Sequence, residues 1–290
     1  MQTATRLGAQ AFVTRYLPGF LLLATMFLLS IGWVAVLAVD VFNVAGSQSY
    51  VMRESLVYPL LWYHLFSEGS PVEILQWALL AASFGLAVNG FVTASRAGHI
   101  GARRLWFLLG AGLLLMLAED SLNVRHIIAS AYLLPALEPA LDERTVRLAW
   151  ELSFYAAIAT LMAIPFAMLF FGALGPVRPP RRLLIAYGVY GLVAFGSAMR
   201  RVGDWQERLG HWLIEVLALR ELPAWSNAFG RAERAMETHP DRAHSVGYML
   251  VDHLVEESVE LVAASLLLSG LLVVWFRLRA VHQKPDRQLQ

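Results

Sequence analysis

The stretch LWFLLGAGLLLMLAEDSLNVRH, residues 105–126, decides how this chain is read. It begins as a run apolar enough for hydrocarbon and then, without a break, takes in Glu119, Asp120, Arg125 and His126. A charged side chain at mid-bilayer costs roughly 2.5–3.5 kcal/mol even on lenient insertion scales. Either the segment is not in a membrane, or its charged end lies near one membrane face and meets partners there. Composition selects the second. The 290 residues are 58% hydrophobic and only 16% charged, against about 25% charged in soluble domains.

Apolar runs long enough to cross a bilayer, about 20 residues, occur six times, at 17–42, 72–95, 105–130, 148–174, 183–199 and 246–276. The expected fold class is all-α, a polytopic membrane helix bundle of six transmembrane helices forming one integral membrane domain over residues 1–290. The first apolar run is far longer than the 7–15 residues of a signal-peptide core and no small-residue cleavage site follows it, so it is read as retained. Arginine sets the direction. Arg6 and Arg15 precede the first span, Arg96, Arg103 and Arg104 separate the second and third, and Arg178, Arg181 and Arg182 separate the fourth and fifth. Arg277, Arg279, Lys284 and Arg287 follow the sixth. These short basic segments alternate, and the positive-inside rule places them, with both termini, in the cytoplasm. Lysine occurs once, at Lys284, among 23 basic residues, which together with the Ala, Leu, Gly and Val content suggests a GC-rich bacterial genome and hence an inner membrane.

Between the fifth and sixth spans, DWQERLGHWLIEVLALREL (204–222) puts Trp205, Leu209, Trp212, Leu213, Val216 and Leu217 on one helical stripe and Glu207, Arg208, His211 and Glu215 on the other face. That pattern predicts an amphipathic helix lying on the periplasmic surface. The following segment, 223–245, reads as polar and irregular. Gly110, Gly112, Gly188 and Gly191 are expected to allow close helix approach.

At about 1.5 Å per helical residue, the ionisable residues of all six spans gather toward the outer leaflet. Glu119 and His126 come late in the outward-running third span, and His253, Glu256, Glu257 and Glu260 come early in the inward-running sixth. Glu119, Asn123 and His126 are spaced i, i+4, i+7, as are His253, Glu257 and Glu260, so each set shares a helical face. If the two faces meet, they form a ladder of imidazoles, an amide and carboxylates. Asp120, Arg125, Asp252 and Glu256 then point elsewhere and can form flanking ion pairs, with Arg200 and Arg201 as further cations for the acids.

Three functions fit this ladder. Imidazoles and carboxylates without thiolates suit Zn, Mn or Fe. His126, His253, Glu257, Glu260 and Glu119 are the ligand candidates, with Glu119 and Glu256 as catalytic acids or bases. The expected chemistry is hydrolysis or transfer on a membrane lipid or lipid-like substrate, whose headgroup Arg200, Arg201, Arg125 and Asn123 would bind. The second function is proton or cation handling, since buried carboxylates beside histidine form relays in pumps and transporters. The third is structural, the polar residues holding spans together. The absence of cysteine excludes disulfides and thiolate chemistry. The net charge of +1, with no basic stripe, gives no reason to expect a nucleic acid. Nothing in the residues points to a protein partner.

PVEILQW (71–77), AED (118–120) and EESVELVAASLL (256–267) resemble motifs of uncharacterised bacterial multi-pass inner-membrane proteins with intramembrane acidic residues. The likeness covers only these short stretches, departs from the usual paired glutamates at Glu119-Asp120, and implies a membrane fold without an activity. The metal chemistry considered above is similar to that of ceramidase-class membrane hydrolases. Glu257 stands where their pattern has histidine, and no residue role is carried over.

Overall fold

The computed structural model describes residues 2–54, 60–137, 141–172, 174, 177–199, 203–238 and 245–282. Among these residues every regular element is helical. The elements are α1 (Gln2–Val36), which a π-helical turn continues through Leu37–Val41, then α2 (Ser47–Glu54) and α3 (Leu61–Phe66). Next come α4 (Pro71–Arg96), α5 (Ile100–Leu122), α6 (Val124–Ile128), a second π-helical turn (Ala129–Leu133) and α7 (Leu134–Leu137). Then follow α8 (Glu143–Phe170), α9 (Arg181–Met199), α10 (Trp205–Val216) and α11 (Pro223–Thr238). The last are α12 (Val246–Met249), a third π-helical segment (Leu250–Glu256) and α13 (Glu257–His282). Six helical stretches are long and apolar enough to cross a membrane: Thr14–Val41, Leu61–Arg96, Ile100–Leu122, Glu143–Phe170, Arg181–Met199 and Val246–Val281. The protein is an all-α polytopic membrane helix bundle.

Two expectations about local structure change. The third span ends at Leu122, well short of residue 130, because Asn123 adopts a left-handed backbone (φ 54°) and a separate short helix follows. Asparagine is one of the few residues that enters this conformation at low cost. The segment expected to be irregular after residue 222 is helical as far as Thr238, and residues 239–244 lie outside the described residues.

The chain forms two compact units. In the first, residues 1–24, 76–198 and 262–290, small residues let helices close on one another. A Cβ on Gly90 of α4 would overlap the Trp106 ring of α5, and one on Gly112 of α5 would lie 2.8 Å from Met162 Sδ of α8. Tyr187 of α9 donates its hydroxyl to the Ala159 carbonyl of α8 at 3.0 Å. Gly270 of α13 lies against Leu183 of α9, where a Cβ would come within 3.1 Å of Leu183 Cα. Ser269 of α13 donates to the Pro18 carbonyl of α1 (2.7 Å) and accepts from Arg182 (2.8 Å). Gly110 does approach α4, with a Cβ position 3.7 Å from Ala87, whereas Gly188 and Gly191 have nothing within 4 Å and do not mediate an approach.

The second unit comprises residues 25–75 and 199–261. Short helices dominate it, so helix ends need capping groups. The start of α4 is a capping box. Ser70 Oγ accepts the Glu73 N–H (3.4 Å) and the Glu73 carboxylate accepts the Gly69 N–H. The PVE of the resemblance is thus a helix-start signal. At α3 the N-cap, Leu60, offers no side-chain acceptor. Asp40, from the π-helical turn after α1, supplies both carboxylate oxygens to the Leu61 and Trp62 N–H groups, at 2.8 and 2.9 Å. The Asp40 carbonyl in turn accepts from Trp225 Nε1 of α11 (3.1 Å) and Gln48 Nε2 (3.3 Å). Trp225 stacks on Trp62 at 6.2 Å between ring centroids. Trp33 donates to Ser258 Oγ (3.0 Å) and meets the Phe66 ring edge-on.

Candidate functional site

The residues singled out from sequence divide between the units. Glu119, Asn123, Arg125 and His126 belong to the first; His253, Glu256, Glu257 and Glu260 belong to the second; Arg200 and Arg201 lie outside the described residues.

In the first unit the break at Asn123 reorganises everything around it. The Asn123 N–H bonds back to the Glu119 carbonyl (2.9 Å), so this residue terminates α5. The i, i+4, i+7 face drawn through Glu119, Asn123 and His126 requires one continuous helix, and the left-handed residue removes it. The same break turns Arg125 back onto the end of α5. One Glu119 oxygen accepts from Arg125 Nε (2.6 Å) and the other from the Arg125 backbone N–H (2.9 Å). Arg125 Nη1 lies 2.8 Å from a Glu151 oxygen on α8, completing an ion-paired bracket. The side chains are almost fully enclosed, at 13% exposure for Glu119, 6% for Arg125 and 2% for Glu151. Arg125, expected to point away from the ladder into a flanking ion pair or toward a lipid headgroup, is the centre of this ion-paired cluster. Its planar fork, with donors in fixed directions, can bridge two carboxylates where a point-like ammonium cannot.

The second layer reinforces the first. Trp150, beside Glu151 on α8, donates to the Arg125 carbonyl (3.0 Å). The Arg125 guanidinium carbon sits 5.1 Å from the Tyr155 ring centroid. Its Nη2 lies 3.2 Å from His126 Nε2. A guanidinium has only donors, so the imidazole nitrogen is the acceptor side of this contact. Asp120 accepts from Gln76 Nε2 of α4 (2.8 Å). The sequence did offer a signal for Glu151. Glu151 and Tyr155 share a face of α8 at i, i+4, a carboxylate and a ring placed together to meet an arginine from elsewhere in the chain.

In the second unit the π-helical segment Leu250–Glu256 displaces the register on which His253, Glu257 and Glu260 were aligned. Its hydrogen bonds run i to i+5, so residues four apart no longer stack through that segment. His253 meets the Tyr63 ring edge-on at 5.9 Å. Asp252 and Glu256 both accept from Gln206 Nε2 of α10, at 3.4 and 3.1 Å. Gln206 is 1% exposed and was not singled out from sequence, where it looked like one polar residue of a surface helix.

Among the described residues no group of three or more His, Asp or Glu side chains is arranged to hold a metal ion. The expected Zn, Mn or Fe site built from His126, His253, Glu257, Glu260 and Glu119 therefore has no support. In the first unit both Glu119 oxygens accept from Arg125. The arrangement found there is two enclosed carboxylates on one guanidinium. Comparison with known proteins adds no family: no family model, no curated protein and no solved structure matches this chain.

Proposed function

We propose that this is a multi-pass protein of a bacterial inner membrane, with both termini cytoplasmic, and that it couples proton movement through the Glu119 and Glu151 carboxylates held by Arg125 to transport. The arginine-rich segments support the orientation, which puts this cluster toward the outer leaflet. The observation that carries the function is the convergence of two enclosed carboxylates on one guanidinium. Arginine keeps its charge at any relevant pH, so the carboxylates are the groups that exchange. With both ionised, the three side chains sum to one negative charge, and excess charge at low dielectric is costly. Enclosed ionic residues of this kind in membrane proteins characterise proton relays.

The test is difference infrared spectroscopy of the reconstituted protein, following the carboxylic-acid C=O band on stepping between about pH 8 and about pH 5. A band that appears in the native chain and is lost in both Glu119→Gln and Glu151→Gln supports the proposal, as does proton flux into vesicles that disappears with it. Carboxylates that stay ionised throughout, with no flux, overturn it. A structural reading is favoured by one observation: Trp150 and Glu119 both bond the Arg125 backbone and so pin the helix break. On that reading the glutamine variants lower stability and leave no proton signal to lose.

A further inference from the structure

Helix α10 has three faces where an amphipathic helix has two. At about 100° per residue, Gln206, Gly210 and Ile214 fall within an arc of about 80°, and all three are buried. Glu207, Arg208, His211 and Glu215 fill a second arc of about 100°. Trp205, Leu209, Trp212 and Val216 fill a third of only about 60°. Trp205, Trp212 and Val216 in that third arc are 37%, 55% and 60% exposed. The arc centres lie about a third of a turn apart. The apolar stripe read from the sequence is real, yet it is not the side that packs on the protein. The packing side is the one built on Gln206, Gly210 and Ile214.

What covers the exposed stripe follows from where α10 is fixed. Gly210 sits against Gly247 so closely that a Cβ on Gly210 would overlap the Gly247 carbonyl. Gln206 reaches Asp252 and Glu256, further along the same helix. Gly247 is the second residue of the membrane-crossing stretch Val246–Val281, which is 36 residues long. At about 1.5 Å per residue that stretch is on the order of 50 Å, against about 30 Å of hydrocarbon. Arg277 and Arg279 hold the far end of the stretch at the opposite headgroup layer, which leaves the spare length to its first turns, and α10 packs on the helix there. A helix anchored at that level, with one face on protein, one charged and one carrying two tryptophans, matches the headgroup–acyl boundary. Indole favours that layer because its ring is apolar and its N–H is not.

We propose that the Trp205, Leu209, Trp212 and Val216 face of α10 binds the phospholipid bilayer at its interface, with the charged arc turned to water. This placement stands apart from the proton reading. The chain contains no cysteine, so single spin labels report one position each. Trp212→Cys and Glu215→Cys are labelled in the full chain reconstituted in phosphatidylcholine vesicles, and collisions with oxygen and with a water-soluble nickel chelate are compared. The expected result is a label at 212 reached by oxygen and shielded from nickel, with the reverse at 215. A 212 label as open to nickel as the 215 label overturns the proposal. So does a 212 label closed to both reagents, which would mean protein, including a second copy, covers the face. A measurement that leaves the helix almost native guards against misfolding. Brominated acyl chains should quench the chain's tryptophan fluorescence, and Trp212→Phe should reduce the quenched fraction. An unchanged quenched fraction overturns the proposal equally.

Discussion

Carboxylates near helix ends are satisfied in opposite ways in the two units. In the first, Glu119 and Glu151 meet a guanidinium, and the link is charge on charge. In the second, Asp40 meets two backbone N–H groups, and Asp252 and Glu256 meet a side-chain amide. A neutral donor that loses its acceptor costs about 1–3 kcal/mol, less than a stranded charge. A buried guanidinium is tolerable only while its acids stay in place. The first unit should therefore respond to mutation all at once, and the second one bond at a time.

The largest effect is expected at Arg125. Arg125→Met leaves two enclosed carboxylates without their cation, a loss of about 3–5 kcal/mol, read as a lowered unfolding midpoint in detergent. Adding Glu119→Gln and Glu151→Gln to that variant should recover most of the loss, because the uncompensated charge is gone. If the triple variant is no better than Arg125→Met, shape and not charge governs the first unit, and the contrast collapses.

Asp40→Ala comes next. It strands the N–H groups of Leu61 and Trp62 at the start of α3, where each buried orphan costs about 1–3 kcal/mol. Amide exchange should accelerate at those two residues, while the first unit is unaffected. Exchange unchanged at Trp62 would mean the cap contributes nothing.

Gln206→Leu should cost less, about 0.5–1.5 kcal/mol. Asp252 and Glu256 are only half-buried and can turn to water when the amide is lost. Among the described residues Gln206 Oε1 has no hydrogen-bond partner and is buried, so its removal returns part of the loss. A penalty as large as that at Arg125 would show that the second unit also depends on a concerted polar cluster.

The smallest effect is at the surface. Asp142 caps α8, accepting the Thr145 N–H at 3.0 Å. Hydrogen bonds from the Thr145 hydroxyl and backbone hold its carboxyl below the ordinary aspartate range. A lowered folded-state value means the cap's contribution is complete above the unfolded value and is lost as pH falls through the folded one. Exchange at Thr145 should quicken on acidification in the native chain and be fast and far less pH-dependent in Asp142→Ala, once intrinsic exchange is corrected for. Equal behaviour in the two would remove the cap.

Part of this architecture is written in one dimension. Six apolar runs, each near bilayer length, need no partner to be recognised, because hydrocarbon tolerates little except an internally bonded helix. The capping box Ser70–Glu73 and the tryptophan stripe of α10 are also local patterns, readable from spacing alone. The pairing of the polar residues depends on backbone features that spacing does not carry. Reading Glu119, Asn123 and His126 as one face assumed 3.6 residues per turn through Asn123. Reading His253 with Glu257 assumed the same through a π-helical segment.

Sequence by itself determined the class of solvent this protein lives in, the helices that cross it, and which residues must find polar company. The tertiary structure decided whose company that is. Arg125 reaches Glu151 across 26 positions of chain and Gln206 reaches Glu256 across 50. Such partners are chosen by how helices end and cross, through one left-handed residue at Asn123 and one Gly210–Gly247 contact, and no local spacing encodes them.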